Sequence, residues 1–289
     1  MFFGSRTVTY EQMEDRANRV ASWFQSAGFR KGDKVAILLN NCLEWLYVWF
    51  GLAKTGVVSV PLNTHHKGSL LQYQVDHCDA RLMVIGRDLV DRIRPFSGSL
   101  KNLTTLVVFP NDNGCSVPDL TTISFPELMK GAPTPPDADI ECNDDLMILY
   151  TTNSTGPSQG VVSPHGQYVR CGELRAGLTG MTPDDVFHCV SPLYHVVPLG
   201  DIVMTSLIAG GAVVLTDRFS ARKFWWDVKR YNCTMTVIFG YLMKRLFEQP
   251  PRKDDADNRL RLALVPDAPA PIQEAFERRF DVLTTDAYG

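Results

Sequence analysis

The groups best suited to chemistry are gathered in residues 150–160, Y-T-T-N-S-T-G-P-S-Q-G. Clustered hydroxyls and glycines leave backbone N–H groups open and let the chain approach an anion closely, which suits a polyphosphate. The stretch is not a Walker A loop. That motif needs Gly-Lys-Ser/Thr to pair phosphates and hold magnesium, and here Gly160 is followed by Val161 and Val162. The apolar run Leu146-Met147-Ile148-Leu149-Tyr150 predicts a strand before the loop, and a helix is expected after Pro164. Residue types alone leave two readings, a phosphate-binding loop and a polar strand-to-helix connection.

Other reactive side chains carry weaker signals. The seven cysteines are widely spaced with no CxxC pair, and they read as reduced thiols of a cytoplasmic protein. His65-His66 is an adjacent pair without nearby ligands and reads as an exposed loop, so no metal site is expected within the chain. Trp45, Trp49, Trp225 and Trp226 sit at helical spacings that packing explains. Net charge is −3 with the cations scattered, which argues against nucleic acid. The longest apolar stretches, residues 45–53 and 202–215, are too short or too interrupted to span a bilayer, and no transmembrane segment is expected.

The elements that must position the loop are legible from periodicity. Thr9 and Gln12 form the T-x-x-Q pattern of a reciprocal helix cap, followed at helical spacing by Met13, Ala17, Val20, Ala21 and Phe24. Lys31-Gly32-Asp33 turns the chain into the β-rich run of residues 35–39. Helices are predicted over 43–54, 70–77 and 89–94, and strands over 57–60, 82–85 and 103–109. Residues 110–120 and the Pro-rich 132–139 interrupt the series. A second series has strands at 146–150 and near 186–191, 212–216, 234–239, 260–265 and 282–285. Between them helices are predicted over 220–231, with Ser220 as N-cap, and over 271–280. Alternating strands and helices predict an α/β fold of two stacked βα layers, with mostly parallel sheets and helices on both faces. The expected division is a first subdomain over 1–131, a linker over 132–145 and a second subdomain over 146–289 carrying the loop.

The loop resembles the signature Y-T-S-G-T-T-G-x-P-K-G of the AMP-forming adenylate superfamily, with Tyr150, Thr151, Thr155, Gly156 and Gly160 matching directly and Thr152 and Ser154 exchanging hydroxyl for hydroxyl. Further family marks follow in order: TYEQMEDRANRVA with GFRKGDKVAILLNN, WFGLAKTGVVSVPLN, Ser191-Pro192-Leu193-Tyr194-His195, and Asp286-Ala287-Tyr288-Gly289. Within the superfamily the stretches NNCLEWLYVWFGLAKTG and SARKFWWDVKRY resemble crotonobetaine/carnitine-CoA ligases. The resemblance covers almost the whole chain and stops at Gly289, inside the Y-G-x-T-E motif. It implies an incomplete amino-terminal domain of the adenylate-forming fold, without the mobile carboxy-terminal domain.

The implied reaction has two steps. A small carboxylic acid attacks the α-phosphorus of ATP, with Mg2+ offsetting charge, to give an acyl-adenylate and pyrophosphate; the thiol of coenzyme A then displaces AMP. By the resemblance, Thr151, Thr152, Asn153, Ser154, Thr155 and Gly156 contact phosphates, while Asp267, Ala268, Pro269, Ala287, Tyr288 and Gly289 surround the adenosine. Tyr194 and His195 correspond to the aromatic-His pair lining the acyl site, against the alternative of an ordinary core histidine. Phe239, Gly240 and Tyr241 are candidate acyl-pocket walls, against plain core packing.

Three departures bear on activity. Gln159 stands where the signature has lysine and Pro266-Asp267 where two glycines are usual, and the resemblance implies that the magnesium-binding glutamate and catalytic lysine fall beyond Gly289. The chain by itself is therefore expected to be inactive, and an exposed sheet edge is expected to make it self-associate. Two alternatives remain open: a degenerate relative that binds nucleotide, acyl ligand or a partner without catalysis, and an adenylation domain that loads a carrier protein.

Overall fold

A computed structural model describes residues 1–151 and 157–286 of the chain. Two compact units are present, Val8–Tyr168, and Met1–Thr7 together with Val169–Gly289. Each is an α/β unit built on a seven-stranded, mostly parallel sheet. Two short strands, β1 (Phe2–Phe3) and β2 (Arg6–Thr7), open the chain and belong to the second unit.

In the unit Val8–Tyr168, α1 (Tyr10–Ser26) begins at the predicted cap. The Gln12 N–H donates to Thr9 Oγ1 and the Thr9 N–H to Gln12 Oε1, both at 3.1 Å. Next come β3 (Lys34–Leu38), α2 (Leu43–Ala53), β4 (Val58–Pro61), α3 (Gly68–His77), β5 (Leu82–Gly86) and β6 (Thr105–Phe109). The apolar faces of α1 and α2 meet so closely that a Cβ on Gly51 would lie 2.6 Å from Val20 Cβ. Trp45 and Trp49 of α2 are buried in this core, as their spacing predicts. The unit closes with β7 (Thr121–Ser124), β8 (Asp145–Tyr150) and β9 (Gly160–Pro164), in the sheet order β7-β6-β5-β3-β4-β8-β9. Only β8 and β9 run antiparallel.

Three local expectations change. Residues 89–94 are not an α-helix but part of two 3-10 segments, Arg87–Arg92 and Arg94–Ser99, the second opening on Pro95. Proline lacks the N–H that an uninterrupted helix would need there. Strands β7 and β9 were not anticipated. The boundary expected at 132–145 also differs from the observed one, because β8 pairs with β4 through Ser59 and Met147 and so joins the first sheet. The Pro-rich segment is irregular as predicted and largely exposed, yet it is fastened down. The Asn18 side-chain amide donates to the Pro133 carbonyl at 2.9 Å, and the Lys31 ammonium lies 3.1 Å from the Asp139 carbonyl and 2.6 Å from the Asp144 carboxylate. Prolines forfeit a donor but keep their carbonyl, so a segment unable to form helix can still be fastened through its acceptors.

After α4 (His165–Thr179), the second unit runs through β10 (Val186–Cys189), a π-helical turn Pro198–Met204, α5 (Thr205–Ala209), β11 (Ala212–Leu215), α6 (Ala221–Arg230), β12 (Met235–Val237), α7 (Gly240–Phe247), β13 (Leu262–Leu264), α8 (Ala270–Phe280) and β14 (Leu283–Thr285). Strand order is β14-β13-β12-β10-β11-β1-β2, parallel except between β1 and β2. Phe224 and Val228 of α6 pack with Phe276 and Phe280 of α8, and Trp225 stacks on Phe280 with ring centroids 4.4 Å apart. Ser220 occupies the N-cap of α6, but its side chain makes no cap hydrogen bond. Arg261 grips Asp185 through two nitrogens at 2.9 and 3.0 Å, tying the start of β13 to that of β10. Desolvation opposes ionisation of Asp185, but bonds from Arg261, Thr234 and the Thr182 N–H outweigh it and hold the carboxyl well below the usual carboxylate range.

His188, central on β10, is fully buried beside Phe224, and neither ring nitrogen has a hydrogen-bond partner among the described residues. Burial, reinforced by the positive charge of Lys223, lowers its pKa from 6.5 to about 3. The folded form thus resists a proton that the unfolded chain accepts. Stability is fully present above pH 6.5 and lost as pH falls from 6.5 toward 3. This one group should remove roughly 3–5 kcal/mol across that window. Denaturant melts between pH 7 and pH 4 are expected to show a steep loss in the native chain and a shallower one in His188→Leu. Equal slopes would mean that His188 does not resist protonation.

Candidate functional site

The loop 150–160 joins two strands, not a strand and a helix as the sequence suggests: Tyr150 of β8 faces Gly160 of β9 across an antiparallel hairpin. Anion binding here would rest on the loop's own N–H and hydroxyl groups, without the positive end of a helix. A Cβ on Gly160 would lie 2.8 Å from Ile148 Cγ2, so close approach favours glycine at the hairpin's return. Of the phosphate-contact candidates, Thr152, Asn153, Ser154, Thr155 and Gly156 lie outside the described residues, as do the adenosine candidates Ala287, Tyr288 and Gly289. Thr151 is described and clamps the base of the loop. Its N–H donates to the Gln159 carbonyl at 2.9 Å, and its hydroxyl accepts from the Gln159 N–H at 3.1 Å.

Helix α3 holds this base from one side. Ser158 Oγ donates to the Thr151 carbonyl at 2.6 Å and accepts from Gln74 Nε2 at 3.3 Å. Gln74 Oε1 in turn lies 2.9 Å from His66 Nδ1. An amide oxygen can only accept, so His66 carries its proton on Nδ1. Tyr73 donates its hydroxyl to the Ser158 carbonyl at 3.0 Å. Tyr150 donates to the Gln74 carbonyl at 3.2 Å, which leaves its oxygen to accept from His77 Nδ1 at 2.9 Å. Burial raises the Tyr150 pKa, with Cys78 and Tyr73 adding to the shift, so the phenol stays protonated and able to donate.

Sequence reasoning missed Tyr73, Gln74 and His77, and it read His66 as an idle exposed residue. The available signal was three polar side chains at positions i, i+1 and i+4 of one short helix, with Gln74 on the side that carries Leu71 and Val75 into the core.

The remaining candidates lie in the second unit. Gly240 opens α7 against the turn after β13: its N–H donates to the Pro266 carbonyl at 3.0 Å, and a Cβ on it would lie 2.5 Å from the Asp267 carbonyl oxygen. The acyl-wall candidates Phe239, Gly240 and Tyr241 are thereby brought beside the adenosine candidates Asp267 and Ala268. Phe239 is half-buried and Tyr241 exposed, their rings stacked 6.2 Å apart, so Tyr241 is not a packing residue. Asp267 has φ +60°, in the left-handed region that aspartate tolerates better than most side chains. The Ala268 carbonyl accepts from Gln273 Nε2 at 2.7 Å, and Pro269 is the N-cap of α8. The Tyr194 and His195 rings lie 4.7 Å apart, tilted by 46°; His195 is exposed and not a core histidine, and local desolvation lowers its pKa below 6.5. Buried Cys78 and Cys189 are pushed up to about 11 and about 12 mainly by burial, which leaves them poor nucleophiles. Among the described residues no three His, Cys, Asp or Glu side chains converge as a metal site, and no helix is long and apolar enough to cross a membrane.

Over residues 1–289 the sequence matches the family described as AMP-binding enzyme. The chain belongs to this family. A crotonobetaine/carnitine–CoA ligase of Escherichia coli O7:K1 is 31% identical over 292 residues, 97% of this chain and 54% of that protein. The chain thus spans about half the length of the curated relatives it matches. In fold it superposes on an anthranilate CoA ligase in complex with anthranoyl-AMP with a TM-score of 0.90 at 22% identity, covering 100% of this chain and 55% of that one. ATP-bound MatB from Rhodopseudomonas palustris gives 0.83 at 22% identity, covering 99% and 56%. The α/β architecture is that of the amino-terminal adenylate-forming domain.

Two substitutions test the framework of this AMP-binding chain. Gln74→Leu removes the donor to Ser158 Oγ and leaves His66 Nδ1 without its acceptor, and it is expected to cost about 1–3 kcal/mol in denaturant unfolding. Gly240→Ala forces a backbone shift at Asp267 and is expected to cost about 1–3 kcal/mol. Unchanged midpoints would show that neither contact constrains the fold.

Proposed function

We propose that this chain supplies the nucleotide- and acid-binding part of an AMP-forming acyl-CoA ligase. The observation that carries this reading is the hydroxyl-rich hairpin loop whose base is fixed by α3. The described base of the loop, at Thr151, Ser158 and Gln159, is held by hydrogen bonds to α3 and across the hairpin, and donors fixed in place are worth most where charge develops. The loop residues Thr151, Thr152, Asn153, Ser154, Thr155 and Gly156 would hold the departing pyrophosphate of ATP as the substrate carboxylate attacks the α-phosphorus. Asp267, Ala268, Pro269, Ala287, Tyr288 and Gly289 would border the adenosine; the Asp267 carboxylate would accept from ribose or base hydroxyl and amino groups and would repel phosphate. Mg2+ would offset phosphate charge, and coenzyme A would take the acyl group in the second step. No protein nucleophile is needed.

For the acid, Tyr194, His195, Phe239, Gly240 and Tyr241 would offer two ring pairs, Tyr194 tilted against His195 and Phe239 stacked on Tyr241. Aromatic faces attract quaternary ammonium groups. The named substrate of the Escherichia coli relative is of that kind, so a betaine-type acid is the proposed class, with a fatty acid as the competing one. The reaction would take place in the cytoplasm. A non-catalytic role is favoured by one feature, Gln159, which removes a cation from the loop.

Calorimetric titration with ATP, with and without magnesium, decides between them. Saturable binding lost in Thr155→Ala supports the ligase reading. Gln159→Lys is expected to tighten ATP about tenfold, or 1.4 kcal/mol. Absence of ATP binding in the folded native chain, restored by Gln159→Lys, would assign a non-catalytic relative. Absence in both would overturn the nucleotide reading.

A further inference from the structure

In the second unit, the surface around the start of α6 holds cations that no described residue neutralises. Arg218, Arg222 and Arg245 line an open depression of about 590 Å³ together with Ser220, Glu248 and Gln249. Most other arginines in this unit are engaged: Arg261 by Asp185, Arg279 by Asp255, Arg252 by Asp254 and Arg175 by Asp201. Among the described residues, the guanidinium groups of Arg218, Arg222 and Arg245 have neither an ion-pair nor a hydrogen-bond partner. Glu248 is the only carboxylate in the lining, and it lies 3.9 Å from Lys244 on its other side. The depression therefore keeps a net excess of about two positive charges, which a dianion would balance and a single carboxylate would not.

A second recess of about 500 Å³ shares Ala221, Arg222 and Gln249 with the first and continues along α6 past Trp225 and Trp226. Its character is different. Lys229, Arg252 and Arg279 are paired there with Asp254 and Asp255, so its charge is largely balanced and its distinctive surface is indole. Trp225 is spent on Phe280, but Trp226 is 50% exposed, an uncommon state for so large an aromatic, and has Arg230 4.7 Å and Lys223 5.8 Å from its ring. Core packing accounts for Trp225 and not for Trp226. The two recesses pair unspent charge with an adjoining aromatic shelf.

We propose that Arg218, Arg222 and Arg245 form a phosphate-binding pocket that takes a dianionic phosphate monoester, whose organic portion lies on Trp226. Two sources share this chemistry, a soluble phosphate ester and the headgroup of a phosphomonoester lipid. The pocket stands apart from the hairpin loop in chemistry: the loop offers hydroxyls and N–H groups, the pocket guanidinium forks. The inference does not depend on the ligase reading.

The test uses the full chain and phenyl phosphate, with inorganic phosphate and phenol as controls, by calorimetry. Phenyl phosphate is expected to bind saturably and more tightly than inorganic phosphate, and phenol not at all. Arg222→Gln and Arg245→Gln should each weaken it about tenfold, with unchanged circular dichroism, since both side chains are exposed. Trp226→Ala should abolish the preference for phenyl phosphate over inorganic phosphate. Thr155→Ala, in the hairpin loop, should leave all of this unaltered. In a second arm, phosphatidylcholine vesicles with and without phosphatidic acid are sedimented with the chain. Arginine-dependent binding to phosphatidic acid assigns the lipid source, and binding to phenyl phosphate alone assigns the soluble one. Absence of saturable binding in both arms overturns the proposal. So does binding that survives the double arginine variant, or binding that is lost in Thr155→Ala and kept in the arginine variants.

Discussion

The candidate nucleotide loop depends on one buried amide. Gln74 is 1% exposed, accepts from His66 at one end of its side chain and donates to Ser158 at the other, while its own carbonyl takes the Tyr150 hydroxyl. The Ser158 hydroxyl proton is committed to the Thr151 carbonyl, so reversing the amide would set acceptor against acceptor at Ser158; this fixes the amide's orientation and, through it, the tautomer of the histidine. From Ser158 the constraint passes to Thr151, and from Thr151 to Gln159, closing the base of the loop across the hairpin.

What such a loop can hold depends on charge as well as shape. Gln159 keeps the backbone bonds that close the hairpin but brings no cation to it. In the second unit, Asp267 shows a related exchange. The residue sits in the left-handed conformation that suits glycine, and its carboxylate is tolerated there because it is exposed. At both positions the side chain changes the local charge without preventing the turn it sits in, and this separates membership of the family from the activity of this chain.

Close backbone approach plays in the second unit the part that hydrogen bonding plays in the first. At Gly240 the chain passes so near Asp267 and Ala268 that no side chain fits, and this contact brings together two segments nearly thirty residues apart in sequence. Parallel strands β12 and β13 deliver both segments to the same sheet end, since their registered pairing through Val237 and Leu264 puts the following turns side by side. The exposed Tyr241 and the left-handed Asp267 follow from that placement.

Much was fixed by sequence alone. The Thr9–Gln12 cap, the buried runs of β3 to β6, the predicted parallel sheets and the loop's resemblance rest on local patterns, whose periodicity is a property of neighbouring residues. Tertiary structure decided the rest. β8 joined the first sheet across a Pro-rich segment because carbonyl acceptors and the Lys31–Asp144 pair hold that segment down, which no local pattern encodes. Residues 160–164 became a strand because β8 offered them an edge. His66, Tyr73, Gln74 and His77 gained their roles only when α3 was laid against the hairpin, since a polar side chain's partner distant in sequence is set by packing and not by its own neighbours. Trp226 and the three unpaired arginines tell the same story. Their types and spacing were visible in the sequence, but only the folded chain determined which indole was covered by a phenylalanine and which cations were left without a carboxylate.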